Sequence, residues 1–155
     1  MKKLLLTFFA VFAVFAAMAD VVIVTQDTSV SERNAARRLS YYLKQMLGNN
    51  VKVTKTASSP AIYVGKNSTT AKMLGLKDFS SLKYEEIIIK SVGNDLVILG
   101  EGNRGTLYAV YTYLEDFLGF RFWAWKEYDV PPAKNFKMSG INHRFPPAEP
   151  CITGP

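Results

Sequence analysis

The segment Leu96–Gly119 reads LVILGEGNRGTLYAVYTYLEDFLG and decides the fold of this chain. Its first residues predict a strand, its glycines a turn, and the residues after them an amphipathic helix over about 104–118. The apolar positions of that helix form one continuous stripe, typical of a face packed on a core: Leu107, Val110, Tyr111, Leu114, Phe117 and Leu118. The segment therefore predicts a strand, turn and helix unit.

The glycines of this turn allow two interpretations. Gly100, Gly102 and Gly105 spell G-x-G-x-x-G between a strand and a helix, so nucleotide binding is one of them. The preceding strand, predicted over 83–90, is joined to Asp95 by a short turn rich in Gly and Asn. Such a turn predicts an antiparallel hairpin, whereas parallel strands need a long crossover. A dinucleotide-binding domain is built on parallel strands and needs more chain than follows Gly105. The hairpin and the short remainder of the chain therefore favour an interpretation other than nucleotide binding.

The same residues carry a family resemblance. Gly100, Arg104, Gly105 and Tyr108 resemble the helix start in the N-terminal domain that precedes the catalytic barrel of bacterial alpha-glucuronidases, beta-N-acetylhexosaminidases and related glycosidases. The resemblance covers about residues 21–145. It implies a mixed sheet with helices packed on it, and it places the catalytic acids in the barrel rather than in this domain.

The pattern along the rest of the chain predicts an α+β domain. Strands are predicted at 20–25, 51–55, 61–65, 83–90, 95–99, 119–124 and 126–130, and helices at 29–47, 69–74 and 104–118. Together they predict a single mixed sheet with an antiparallel hairpin and two main helices. The predicted domain boundaries are 1–19 for a signal peptide, 20–140 for the accessory domain and 141–155 for an irregular tail.

The first nineteen residues have the pattern of a secretory signal peptide. Lys2 and Lys3 precede an apolar run from Leu4 to Met18, and the small-residue pattern at 17–19 predicts cleavage after Ala19. The apolar run is shorter than the roughly 20 residues that span a bilayer. We therefore expect an exported protein, periplasmic or extracellular, that is free of the membrane after cleavage.

Composition excludes several function classes. The net charge of +6 is spread over scattered basic residues, so nucleic-acid binding is not expected. Cys151 is the only cysteine and His143 the only histidine. The chain therefore has no internal disulfide, and neither Cys–His catalysis nor a protein-built metal site is expected. No cofactor is predicted.

The acidic residues do not suggest a hydrolase active site. Glycoside hydrolysis needs two carboxyl groups on opposite sides of the sugar bond. The neighbouring pairs Glu85-Glu86 and Glu115-Asp116 are predicted to be solvated, because adjacent side chains diverge on a strand or a helix. Glu101 is predicted to form a local ion pair with Arg104. We therefore expect no enzymatic activity from this domain alone.

Two tryptophans and one arginine are candidates for carbohydrate contact. Trp123 and Trp125 have the same strand parity, so both could stack on sugar rings from one face, although core or interface packing is the alternative. The resemblance implies that Arg144 lies where relatives enter their first barrel strand and contact sugar. The residues after Phe145 look like the truncated start of a linker to such a barrel.

These observations lead to one main hypothesis and two alternatives. The main hypothesis is a non-catalytic accessory domain of an exported glycoside hydrolase, whose partner is a catalytic barrel absent from this chain. The first alternative is a free-standing carbohydrate-binding module with an oligo- or polysaccharide as ligand. The second is nucleotide binding through Gly100, Gly102 and Gly105.

Overall fold

A computed structural model of the chain describes residues 20–26, 29–48, 50–57, 59–124 and 126–145. Its strands are β1 (Val21–Val24), β2 (Val51–Thr54), β3 (Ile62–Val64), β4 (Ile87–Val92), β5 (Asp95–Gly100), β6 (Arg121–Ala124), β7 (Glu127–Asp129) and β8 (Asn142–Phe145). Its α-helices are α1 (Val30–Leu47), α2 (Ser68–Met73) and α3 (Gly102–Thr112), and α3 continues as a π-helical segment, Tyr113–Leu118. A single 3₁₀ turn spans Ala133–Asn135.

The main sheet is mixed and has the strand order β2-β1-β3-β5-β4-β8. β1, β2, β3 and β5 are parallel, whereas β4 runs antiparallel to both of its neighbours, β5 and β8. The predicted hairpin is confirmed, with Val92 opposite Asp95 across its turn. The predicted fold class, an α+β domain with a mixed sheet, is also confirmed.

The prediction of a single sheet is wrong. β6 and β7 form a separate two-stranded antiparallel sheet. Aromatic rings hold this hairpin against α1, since the ring of Tyr42 lies 5.0 Å from that of Phe122 and 5.2 Å from that of Tyr128. A strand pattern predicts a strand, but the packing of its side chains decides which sheet it joins.

The predicted irregular tail is wrong for residues 142–145. They form β8, which pairs with β4 in a register that places Phe145 opposite Ile87. The backbone N–H and carbonyl groups of this short segment pair with those along the otherwise unpaired edge of β4. The predicted signal peptide, Trp125 and residues 146–155 with Cys151 lie outside the described residues.

Both faces of the main sheet are covered. Side chains alternate along β5, so Leu96 and Ile98 pack in the core beneath α1 and α3. Val97 and Leu99 point to the opposite face, where a smaller cluster covers them: Leu82 and Ile88, with Tyr63, Met73, Leu74, Phe79 and Val92 partly buried against it. This two-sided burial explains the near-continuous apolar run of β5.

The helices begin within two residues of their predicted starts, and α3 also differs near its end. Ser29 caps α1, because its hydroxyl accepts the backbone N–H of Glu32 at 3.1 Å. The helix predicted over 104–118 begins at Gly102, and its last six residues are π-helical. Tyr113 is fully buried although the predicted stripe omitted it, because it lies three residues after the buried Val110 and so on the same face of the helix. The Tyr113 hydroxyl donates to the carbonyl of Lys137 at 2.7 Å.

Candidate functional site at the carboxyl ends of the parallel strands

The parallel strands β1, β3 and β5 all end at the same edge of the sheet, which is where open α/β sheets generally bind ligands. A cleft of about 550 Å³ opens there between the starts of α1 and α3. It is lined by Ser29, Val30, Ser31, Glu32, Lys66, Glu101, Gly102, Asn103 and Thr106. This cleft is the candidate functional site.

Gly100 and Gly105 bring β5 and α3 into backbone contact beside the cleft. A Cβ atom added at Gly100 would lie 2.3 Å from the carbonyl carbon of Gly105, and one at Gly105 would lie 2.7 Å from that of Gly100. The Thr106 hydroxyl spans the contact, 3.2 Å from both the backbone nitrogen and the carbonyl oxygen of Gly100. Packing between the strand and the helix therefore accounts for these two glycines without a ligand.

Gly102 has a different role. Its φ of +79° is rare for a residue with a side chain, and a Cβ there would lie 2.7 Å from the ring carbon Cε2 of Tyr84. The positive φ and the contact with the Tyr84 ring account for a glycine at this position, which also lines the cleft. The three glycines thus fit a structural role better than the nucleotide interpretation.

The charged groups of the cleft centre on Lys66. Its Nζ lies 2.6 Å from Oε2 of Glu101, and its backbone N–H donates to Oε1 of the buried Glu32 at 2.7 Å. The predicted local pair between Glu101 and Arg104 is wrong. β3 lies beside β5, so it brings Lys66 to Glu101 across 35 positions of sequence.

The electrostatics of Glu101 suit a structural carboxylate. Burial raises the pKa of Glu101, but hydrogen bonds from Lys66 and from the backbone of Gly102, together with the charge of Lys66, outweigh it and lower the pKa below 4.5. A general acid in glycoside hydrolysis needs the opposite shift, because it must keep its proton near neutral pH. Glu101 is therefore ionised and unsuited to that role.

A second buried carboxylate lies behind the cleft. Glu86 is only 5% exposed, so its predicted solvation is wrong. It accepts the backbone N–H of Lys83 at 2.8 Å and forms an ion pair with Nε of Arg144 on β8. Burial raises the pKa of Glu86, but the hydrogen bonds and charge of Arg144 and the backbone of Lys83 lower it overall. This pair fastens β8 to the loop that precedes β4.

The candidate carbohydrate contacts are distributed over two sheets. Trp123 lies on β6 and is 70% exposed, and its Nε1 donates to Asp129 at 3.0 Å. Arg144 lies on β8 in the main sheet and is engaged with Glu86. Since Trp125 lies outside the described residues, a paired tryptophan face stays a prediction.

The four residues that carry the family resemblance at the start of α3 differ in their exposure to solvent. Gly100 and Gly105 are buried at the contact of β5 with α3, whereas Arg104 and Tyr108 are exposed on α3. The first group shapes the backbone, and the second is free to meet solvent or a partner.

Glu32 and Lys66 are two members of the site that were not predicted from the sequence. Gly65, at a φ of +100°, has room for Glu32 only because it lacks a Cβ, which would lie 2.8 Å from Cδ of Glu32. A glycine directly after a predicted strand is the one local signal of such a close approach. The local sequence does not show that Glu32 on α1 is the residue that approaches Gly65, because tertiary packing brings the two together.

Among the residues that the structure describes, no three His, Cys, Asp or Glu side chains are grouped closely enough to hold a metal ion. The described helices also include none that is long and apolar enough to cross a bilayer.

The lowered pKa values predict that acid weakens the fold. Glu86 and Glu101 stabilise the folded state when ionised, so this contribution is present above about pH 4.5 and is lost as the pH falls through their folded values. We expect the free energy of unfolding, measured by urea titration, to fall as the pH drops below about 4.5. Glu86→Gln should flatten this fall, and Glu85→Gln, at the exposed neighbouring position, should leave it unchanged. An equal acid response in both variants would contradict the assignment.

Comparison with known proteins gives one family and a shared fold. The model described as "Glycosyl hydrolase family 67 N-terminus" matches residues 13–113. No curated protein sequence matches the chain.

Among solved structures, "A novel family GH115 4-O-Methyl-alpha-glucuronidase, BtGH115A, with specificity for decorated arabinogalactans" is similar with a TM-score of 0.55 and 17% identity. The match covers 83% of this chain and 17% of that enzyme, and at this identity it indicates a common fold alone.

A second solved structure is less similar. It is a "GH138 enzyme targeting pectin rhamnogalacturonan II", with 22% identity and a TM-score of 0.42. The match covers 62% of this chain and 10% of that enzyme. The chain therefore spans less than a fifth of the length of either structure.

Proposed function

Because this chain belongs to the family of glycosyl hydrolase family 67 N-terminal domains, we propose that it is a non-catalytic accessory domain of an exported glycoside hydrolase. Its task in this proposal is to pack against the catalytic domain and help to position it. The family match over residues 13–113 is the observation that carries the proposal. The similar fold within a much longer alpha-glucuronidase supports it.

The hydrogen bonding and ionisation of the carboxylates in the cleft support a non-catalytic role. The two carboxylates that line it, Glu32 and Glu101, both accept hydrogen bonds from Lys66. Glu101 is ionised at neutral pH, so it has no proton to give to a leaving group. The proposal therefore assigns the chemistry to the catalytic domain of the parent enzyme.

Export and the identity of the parent enzyme are the finer parts of the proposal. The basic start, the apolar run to Met18 and the cleavage pattern ending at Ala19 support export to the periplasm or the medium. The family match and the resemblance of the helix start favour an alpha-glucuronidase as parent, with a hexosaminidase-like enzyme as the alternative from the sequence. In either case the choice of sugar belongs to the catalytic domain.

We expect the purified chain to hydrolyse no glycoside. The measurement is release of nitrophenol from a panel of aryl glycosides, including the alpha-glucuronide, and of glucuronic acid from decorated xylan fragments. A family 67 alpha-glucuronidase serves as the positive control. Glu32→Gln and Glu101→Gln should behave as the unmodified chain does. Turnover that disappears in Glu101→Gln would show a catalytic site in this domain and overturn the proposal.

A carbohydrate-binding module is the second candidate, and one observation favours it. The Trp123 ring is exposed and oriented by its hydrogen bond to Asp129, as a stacking platform for sugars requires. Retention of the chain on an insoluble polysaccharide, lost in Trp123→Ala, would favour this function over the accessory role.

A further inference from the structure

We propose that the parent enzyme's catalytic domain docks on the edge of this domain formed by Val30, Tyr84 and Phe145, here called the carboxyl-edge surface. The inference rests on the proposed accessory function and adds the location of its interface. It follows from the exposure of these residues, from their position at one end of the main sheet and from the edge at which the last described strand ends.

The three residues are large, apolar and exposed. Tyr84 is 67% exposed, Val30 63% and Phe145 55%. Single exposed apolar residues are ordinary on a protein surface, whereas a connected group of them marks an interface. These three residues therefore mark an interface if they belong to one surface.

A chain of contacts joins them. Val30 and Glu101 line the same cleft, and Glu101 also lines the adjoining depression with Tyr84, whose ring covers Gly102. The backbone N–H of Glu101 donates to the carbonyl of Glu86 at 2.8 Å. The Glu86 side chain in turn holds Arg144, the neighbour of Phe145. These contacts place the three residues at the same end of the main sheet, at the ends of β5 and β8.

The ion pairs along this surface suit a rim rather than a core. The Arg144 side chain is 52% exposed, and those of Lys66 and Glu101 are about a quarter exposed. Protein interfaces typically combine apolar and aromatic anchors with partly solvated polar groups around them. Tyr84 and Phe145 would be the aromatic anchors in this arrangement.

The direction of the chain identifies the occupant. β8 is parallel to β5 and ends at Phe145, level with Gly100, since both residues pair with Ile87. The last described strand therefore points out of the domain at the carboxyl-edge surface. In a glycoside hydrolase that carries this domain at its N-terminus, the catalytic domain comes later in the chain, so the polypeptide is directed toward it from this edge.

Another exposed aromatic lies elsewhere and provides a matched control. Trp123 is more exposed than Tyr84, but it belongs to β6 in the second sheet. Both strands of that sheet are followed by further described elements of this domain. If exposure alone selected the docking site, Trp123 would be the better anchor.

The test measures binding of this chain to the catalytic portion of a family 67 alpha-glucuronidase produced without its own N-terminal domain. The variants are Tyr84→Ala, Phe145→Ala and their double, with Tyr84→Phe as the conservative change and Trp123→Ala as the control. We expect each alanine variant to raise the Kd about tenfold or more, as loss of a central aromatic anchor does. Tyr84→Phe and Trp123→Ala should bind as the unmodified chain does, and thermal unfolding checks that every variant is folded.

The outcomes separate this inference from the proposed function. Binding that survives the double variant and is lost in Trp123→Ala would overturn the surface and leave the accessory role in place. No binding by the unmodified chain would overturn both. Light scattering of the chain alone tests another occupant, because a dimer that Tyr84→Ala dissociates would assign the surface to a second copy instead.

Discussion

Gly100→Ala is expected to lower the free energy of unfolding by about 3 kcal/mol or more, one of the two largest effects predicted for a single substitution in this domain. The new methyl carbon would lie 2.3 Å from the carbonyl carbon of Gly105 and 2.4 Å from its oxygen. Both belong to backbone at the start of α3, so no side chain can rotate away. The strand and the helix would have to separate, exposing the core between them.

Urea unfolding followed by circular dichroism measures this effect, and Gly75→Ala is the matched control. Gly75 has a φ of +70° and nothing within 4 Å of its added Cβ, so only backbone strain of about 1 kcal/mol is expected there. If Gly100→Ala were no more costly than Gly75→Ala, the close contact of β5 and α3 would not be essential. The glycines would then need another explanation, such as a ligand.

Phe120→Ala is the second substitution with a large expected effect, a loss of about 3 to 5 kcal/mol of unfolding free energy. Phe120 is fully buried, and its ring lies 5.8 Å from that of Tyr42 and 6.1 Å from that of Phe122. Removing it leaves a cavity where α1 meets the β6–β7 hairpin. The hairpin should therefore lose part of its attachment together with the stability of the core.

Trp123→Ala is the control for this aromatic cluster, since Trp123 lies on the same hairpin but is exposed. Its replacement should change the unfolding free energy by no more than about 0.5 kcal/mol. The measurement is again urea unfolding, with near-ultraviolet circular dichroism to follow the packing of the rings. Comparable losses in both variants would mean that the hairpin is held by its outer face.

Two carboxylates paired with cations indicate how the candidate site is built. Glu86 and Glu101 each bind a cation delivered by a different strand, Arg144 from β8 and Lys66 from the end of β3. Pairing lowers both pKa values, so both carboxylates stay charged at neutral pH. The edge therefore presents fixed charges and exposed aromatics, which suits recognition of a partner surface better than proton transfer.

Local sequence determined the elements whose signals are short in range. The apolar period predicted α1, and the Gly-Asn turn predicted the hairpin of β4 and β5. Interactions within a few residues decide capping and tight turns, so these features can be predicted from the sequence alone. The same holds for the mixed α+β class, which follows from the order of strands and helices.

Only the tertiary structure decided the partners across the chain. It attached β8 to β4, placed β6 and β7 in a second sheet, paired Lys66 with Glu101 and buried Glu86 against Arg144. Residues 142–145 carry no local strand pattern, and their pairing depends on a free strand edge about 50 residues away in sequence. An unpaired strand edge or a buried charge can bind any suitable group nearby. Which group lies nearby depends on the packing of the whole domain and not on the local sequence.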